Sequence, residues 1–167
     1  GYHSLGNGYI GRNNFVGSYS GFGVSNLSTG TNNNIMGFHA HENFTTASNN
    51  VGVGGYSLQN ITTGSGNTAI GSFGLITLTT GSNNSTLGYL ADANSSNLNN
   101  ATAIGANALI AQSNSIILGS INGVNGATAS TSVGIGDNTP NARLHVVRNA
   151  QSGTAYHPNA AMIIEDN

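Results

Sequence analysis

A bulky apolar residue stands immediately before a glycine eight times along the chain: Val16-Gly17, Met36-Gly37, Val53-Gly54, Ile70-Gly71, Leu87-Gly88, Ile104-Gly105, Leu118-Gly119 and Ile135-Gly136. The intervals between these glycines are 20, 17, 17, 17, 17, 14 and 17 residues. Whole phrases return with them, as in "NTAIG" at 67–71 and "NSTLG" at 84–88. Self-similarity at a fixed short period predicts a stacked architecture. Ahead of the bulky residue stand Phe15, Ile35, Gly52, Ala69, Thr86, Ala103, Ile117 and Gly134, mostly small in the middle of the series. Neighbouring strand residues point to opposite faces. The expectation is therefore that the bulky file lines a core, while the small file faces solvent or a closely apposed surface.

A second ladder follows each glycine by two positions: Tyr2, Tyr19, His39, Tyr56, Phe73, Leu90, Asn107 and Ile121. Ile61 and Leu78 then point inward ahead of the corners Thr62-Thr63-Gly64 and Thr79-Thr80-Gly81. Each unit reads as strand, Gly/Asn turn, strand, Gly corner. A unit this short cannot enclose a core alone, so about eight rungs of 14–20 residues are expected to stack as an all-β, parallel β-solenoid over residues 1–136. Stacked rungs pair one another's amides, and like residues such as Asn and Thr can hydrogen-bond along the axis. Were the bulky file to face outward, the stack and its assembly would lose their support.

Composition sharpens this picture. The chain has 167 residues, 25 of them Gly, with 5% charged residues, a net charge of -2 and neither Cys nor Trp. Frequent glycine argues against helix and for tight turns. The absence of cysteine removes disulfides and thiolate chemistry. No apolar run approaches the roughly 20 residues of a membrane-spanning helix. Arg12, Arg143 and Arg148 are the only Lys or Arg residues, too few to neutralise a run of phosphates, so no nucleic-acid partner is expected. Gly1 in place of Met reads as a fragment or processed chain. The two apolar ladders are thin for so many ordered residues, which points to self-association.

"NTAIG", "NATAIGANA" and "SNSIILG" resemble the head repeats of trimeric autotransporter adhesins. "TTGSGNTAIG" and "TTGSNNSTLG" are similar to the same repeats as they occur in phage and phage-like tail fibres, and "SVGIGDNTPNARLHVV" (132–147) resembles a junction common in such fibres. The resemblance covers about residues 1–148. It implies a left-handed β-roll and a homotrimer, intertwined or side by side. It also implies an extracellular location, on a virion or tail-like particle or a bacterial surface, and attachment to a host glycan or protein. The head or stalk of a bacterial surface adhesin is the alternative. The 17-residue unit departs from the usual adhesin spacing of about 14, which only 106–119 matches, and favours the fibre type.

Within the junction, Pro140 lacks an amide donor and suits the point where rungs stop. Leu144 and Val146 alternate with Arg143 and His145 like a new strand, so 137–148 is expected to be a junction segment. Residues 149–160 read as a linker and 161–166 as the first strand of a following domain, placing 149–167 outside the roll.

No catalytic constellation is visible, no cofactor is required, and the expected role is not enzymatic. His39-Ala40-His41 carries the sharpest chemistry. Two histidines two apart on a strand share a face, and three chains would offer six nitrogens to a transition metal on the threefold axis, as the resemblance to His-x-His fibre tips also implies. The plainer reading has His39 replacing Tyr in its ladder and His41 at the surface. The aromatic ladder Tyr19, Tyr56 and Phe73 offers a stacking platform for sugars, against core or subunit interface as the plainer reading. The row Thr46, Thr63 and Thr80 invites an ice-binding reading but is short. A polysaccharide depolymerase would need an acidic cluster in a groove, whereas Glu42, Asp92, Asp137, Glu165 and Asp166 are scattered.

Overall fold

A computed structural model describes residues 11–23 and 28–147. These contain strands and turns and no helix, and the chain divides into two units between Ser130 and Thr131. Tyr2, the linker and the terminal strand expected over 149–167 lie outside the described residues.

The first unit is a parallel β-solenoid of about six turns. Strands β1 (Asn14–Val16), β2 (Asn34–Met36), β3 (Val51–Val53), β4 (Thr68–Ile70) and β5 (Ser85–Leu87) pair in sequence. After β6 (Asp92–Ala93), the sheet continues through β7 (Thr102–Ile104) and, past β8 (Leu109–Ile110), through β9 (Ile116–Leu118). The register is exact in residue type: Val16 pairs with Met36, Met36 with Val53, Val53 with Ile70, Ile70 with Leu87, Leu87 with Ile104 and Ile104 with Leu118. At about 4.8 Å per strand the seven strands rise roughly 29 Å. The bulky residues thus form one vertical file, as the period predicts.

Their direction is the reverse of the expectation. In β4, Ala69 is fully buried while Ile70 is 43% exposed, and the same alternation holds in β1, β2, β3, β5 and β7. The small file faces the interior and the bulky file faces out. The reason is the opposite wall of each turn, which brings in Phe44, Leu58, Ile61, Leu75 and Leu78, all fully enclosed. Where that wall presents Leu58 or Leu75, the strand facing it contributes only Gly52 or Ala69. On the sequence argument an outward file would have undone the stack. It does not, because these opposite-wall residues supply the core and register pairing satisfies the backbone.

Each strand is short because both ends are set by backbone geometry. At its end, Gly71 has φ 134°, and a Cβ there would lie 2.2 Å from the carbonyl oxygen of Gly88 in the next turn. Only glycine allows successive turns to approach that closely. At its start, Asn49, Asn83 and Asn100 adopt positive φ, with Gly66 in the equivalent place. Asn tolerates this left-handed conformation better than most residues.

Inside the corner after each of these positions runs a buried asparagine ladder. Asn50 donates its N–H and side-chain amide to Asn33 Oδ1 at 3.0 and 3.1 Å, and Asn67 N–H donates to Asn50 Oδ1 at 2.8 Å. Asn84 repeats the double bond to Asn67, and Ala101 N–H closes the series on Asn84 Oδ1 at 3.1 Å. Each buried amide is therefore satisfied by its copy one turn away. The expected hydrogen bonding along the axis is observed here.

The second expected strand is for the most part absent. The segment after each glycine is a tight turn, in which Tyr19, His39, Tyr56, Phe73, Leu90 and Asn107 all have positive φ. His41, Leu58 and Leu75, two residues further on, do so as well. Such a conformation costs a bulky residue about 1–2 kcal/mol. It persists because from His39 onward these N–H groups are claimed by neighbouring turns, as in Tyr56 N–H to Phe38 O at 2.8 Å and Leu58 N–H to Gly74 O at 2.9 Å. Among the described residues, only the two-residue strands β6 and β8 pair on this side.

In the second unit, β10 (Val133–Ile135) pairs in parallel with β11 (Leu144–Val146). "SVGIG" is therefore not an eighth rung of the seven-stranded sheet but half of this separate pair. Between the two strands, Asp137 accepts hydrogen bonds from Thr139 N–H and Oγ1 at 3.0 and 3.2 Å and lies 2.6 Å from His145 Nδ1. The Thr139 N–H foremost, and His145 further, hold the Asp137 carboxyl below its usual range.

Candidate binding surfaces

Three outward surfaces arise from the turn geometry. The first is the outer face of the seven-stranded sheet, where Val16, Met36, Val53, Ile70, Leu87, Ile104 and Leu118 are all exposed, one per strand. Beside them runs a row of Asn14, Asn34, Val51, Thr68, Ser85, Thr102 and Ile116, uncharged throughout. A continuous exposed apolar file of this kind marks an interaction surface more often than a free one.

The second surface is the aromatic corner. The rings of Tyr19 and His39, His39 and Tyr56, and Tyr56 and Phe73 are stacked with centroids 4.6, 5.5 and 5.0 Å apart. Positive φ at each of these residues throws the side chain to the same side, and the rise between turns matches a stacking distance. The ladder is half-buried, and its interior ring faces are occupied by one another. A sugar stacks on a ring face, so between successive rungs Tyr56 and Phe73 leave chiefly their edges. The exposed aromatic residues beside them are Phe22, Phe38 and Tyr89, which meet Tyr19, Tyr56 and Phe73 edge-on. Sequence reasoning passed over these three because they do not recur at every turn: Gly55 and Ser72 occupy the places between Phe38 and Tyr89.

The third surface is the threonine row, with Thr46, Thr63 and Thr80 exposed as expected and Thr29 extending it by one turn. The neighbouring Thr45 and Thr62 turn their hydroxyls to the next turn, donating to Thr62 O and Thr79 O at 2.9 and 3.3 Å.

The two histidines of the His-x-His motif do not share a face. They sit in a turn rather than a strand. His39 is outward in the aromatic stack, with Nδ1 2.6 Å from Glu42 Oε2, a carboxylate that also accepts from Gln59 Nε2 at 2.8 Å. His41 is fully enclosed, its ring stacked on Phe44 at 4.9 Å, and burial pushes its pKa down to about 3. The premise of an axial site built from both imidazoles is therefore not met, and no group of three His, Cys, Asp or Glu converges among the described residues. No described helix is long and apolar enough to cross a membrane.

One more buried acid interrupts the core. Asp92 takes the position held by Leu58 and Leu75 in earlier turns, accepting from Thr77 Oγ1 and N–H at 2.6 and 3.1 Å. Burial raises its pKa, and the bonds from Thr77 and Ala93 oppose that rise. No family profile, curated protein or solved structure matches the chain.

Proposed function

We propose that this chain is a structural and attachment segment of a homotrimeric fibre of the phage or phage-like tail type. In this reading, left-handed rolls associate through their sheet faces and act outside the cell. The observation that supports this most is the exposed file Val16–Met36–Val53–Ile70–Leu87–Ile104–Leu118, repeated in register with no charge to interrupt it. Such a file against water is unfavourable by about 25 cal/mol per Å² of apolar surface, and identical copies offer a matched surface of the same period. The repeat phrases "NTAIG" and "TTGSNNSTLG", which resemble those of fibres, add the number three and the handedness. In the same reading, the exposed rings Phe22, Phe38 and Tyr89 are the contact for a host glycan or protein.

Light scattering on the purified chain tests the assembly: three times the 16.8 kDa chain mass is expected, and a monomer rejects it. Attachment is tested separately, by applying fluorescently labelled chain to a panel of bacterial strains. Selective labelling of some strains is expected, and a trimer that labels none would leave a shaft without an adhesive role.

A further inference from the structure

We infer that His41 is an acid-operated release within the roll: a proton on its imidazole expels the side chain from the core and opens the turn of residues 37–47, while the leucine-filled turns after it stay stacked. The imidazole is fully buried, and neither Nδ1 nor Nε2 has a hydrogen-bond partner. It lies face to face with Phe44, and the equivalent positions in the adjoining described turns are Gly21 and Leu58. Across the turn stands Ile35, from β2. None of these groups titrates or carries charge. The nearest ionisable residues in sequence, His39 and Glu42, are paired with each other on the outer surface. An imidazolium at this position would have neither water nor counter-charge, and burying an isolated charge is among the costliest changes a core can suffer.

The direction of the response follows from linkage. Burial lowers the pKa of His41 from 6.5 to about 3, so the opened turn takes up a proton first as pH falls. The closed turn keeps its full stability above pH 6.5 and loses it progressively as pH falls towards 3, by about tenfold in the closed-to-open ratio for each pH unit. The opening stays local because stacked units are held by their nearest neighbours, and the next two turns place Leu58 and Leu75 where His41 stands.

Hydrogen exchange read by mass spectrometry on the full chain tests this, at pH 7 and pH 4.5 with the intrinsic exchange rate corrected. Protection in 37–47 is expected to fall by about a hundredfold, two pH units below the free imidazole value, with 68–88 holding. His41→Leu, which copies the residue of the next two turns, is expected to abolish the loss. Unchanged wild-type protection, or an equal loss in His41→Leu, overturns the proposal. Should that variant fail to fold, the His41 ring signal in the wild type decides. A ring that titrates near 6.5 while its turn stays protected also overturns the proposal.

Discussion

The ring of Phe15 occupies the space a side chain on Gly21 would enter, with a Cβ at Gly21 only 2.4 Å from it. Two turns later the same pair of positions is Gly52 and Leu58, with large and small exchanged, and a Cβ on Gly52 would meet Leu58 Cδ1 at 3.1 Å. Between them the pair is Ile35 and His41, and after them Ala69 and Leu75. In three of these four pairs one large and one small residue share the interior of their turn, and only Ile35 with His41 places two large side chains there. The backbone at Gly21, φ 60°, already matches that at Leu58, φ 56°. Gly21→Leu alone is therefore expected to destabilise by roughly 1–3 kcal/mol or more through overpacking. Adding Phe15→Gly should recover part of that loss. A double-mutant cycle by urea unfolding should give a favourable coupling of about 1–3 kcal/mol, and additive effects would refute the shared volume.

Asn67 joins three residues through four hydrogen bonds: its N–H donates to Asn50 Oδ1, its side chain donates to Gly81 O, and its Oδ1 accepts twice from Asn84. Asn67→Ala leaves the Asn84 N–H and the Gly81 carbonyl unpaired in the interior, at a cost of about 2–4 kcal/mol. Asn83→Gly, at an exposed positive-φ site where another turn has Gly66, is expected to change stability by less than about 0.5 kcal/mol. Thermal melts of the two variants side by side check the contrast.

The period, the strand positions and the closing glycines are legible in the sequence because stacking demands the same residue type at the same place in every turn. Gly71, Gly88 and Gly105 repeat since each packs against the next at backbone distance. Which face of Ala69-Ile70 lies inside is not legible from alternation, because a strand of three residues has two faces and the opposite wall decides. That wall is built by Leu58 and Leu75 in left-handed turns, against their own backbone preference, where tertiary packing overrides local propensity. The same override hid the division of His39 from His41. The aromatic ladder was legible as a ladder, but not its stacking, which depends on the conformation of the turn.

Asp92 sits in the leucine position of its turn, and burial raises its carboxyl pKa above 3.8. The unfolded chain therefore ionises this group first. Its contribution is undiminished below pH 3.8 and declines as pH rises from there through the folded value. Asp92→Asn keeps the shape and an acceptor for Thr77 N–H without the buried charge. It is expected to be more stable than the parent at pH 7, with the difference shrinking as pH falls through the raised folded value and reaching its minimum by about pH 3.8. Urea midpoints of the two proteins from pH 3 to 7 check this, and parallel curves would show that the carboxylate costs the fold nothing. Because both proteins carry His41, its opposite pH dependence cancels in the difference.

Ile70 stands near the middle of the outward file, half exposed, between Val53 and Leu87. Its side chain has no role in filling the turn, since Ala69 meets the interior in its place. Ile70→Glu should therefore leave the roll's own fold intact, with unchanged far-ultraviolet dichroism. In an assembly joined through this file, however, the change would bring a carboxylate from every copy into one apolar contact. Unpaired buried charges there cost far more than the contact gains, so the assembly is expected to fall to chain mass in light scattering at pH 7. Thr63→Glu, on the exposed threonine row, adds the same charge elsewhere and is expected to leave the mass unchanged. A full-mass assembly of Ile70→Glu would place the contact on another face of the roll, and loss of dichroism would show instead that Ile70 is needed within its own turn.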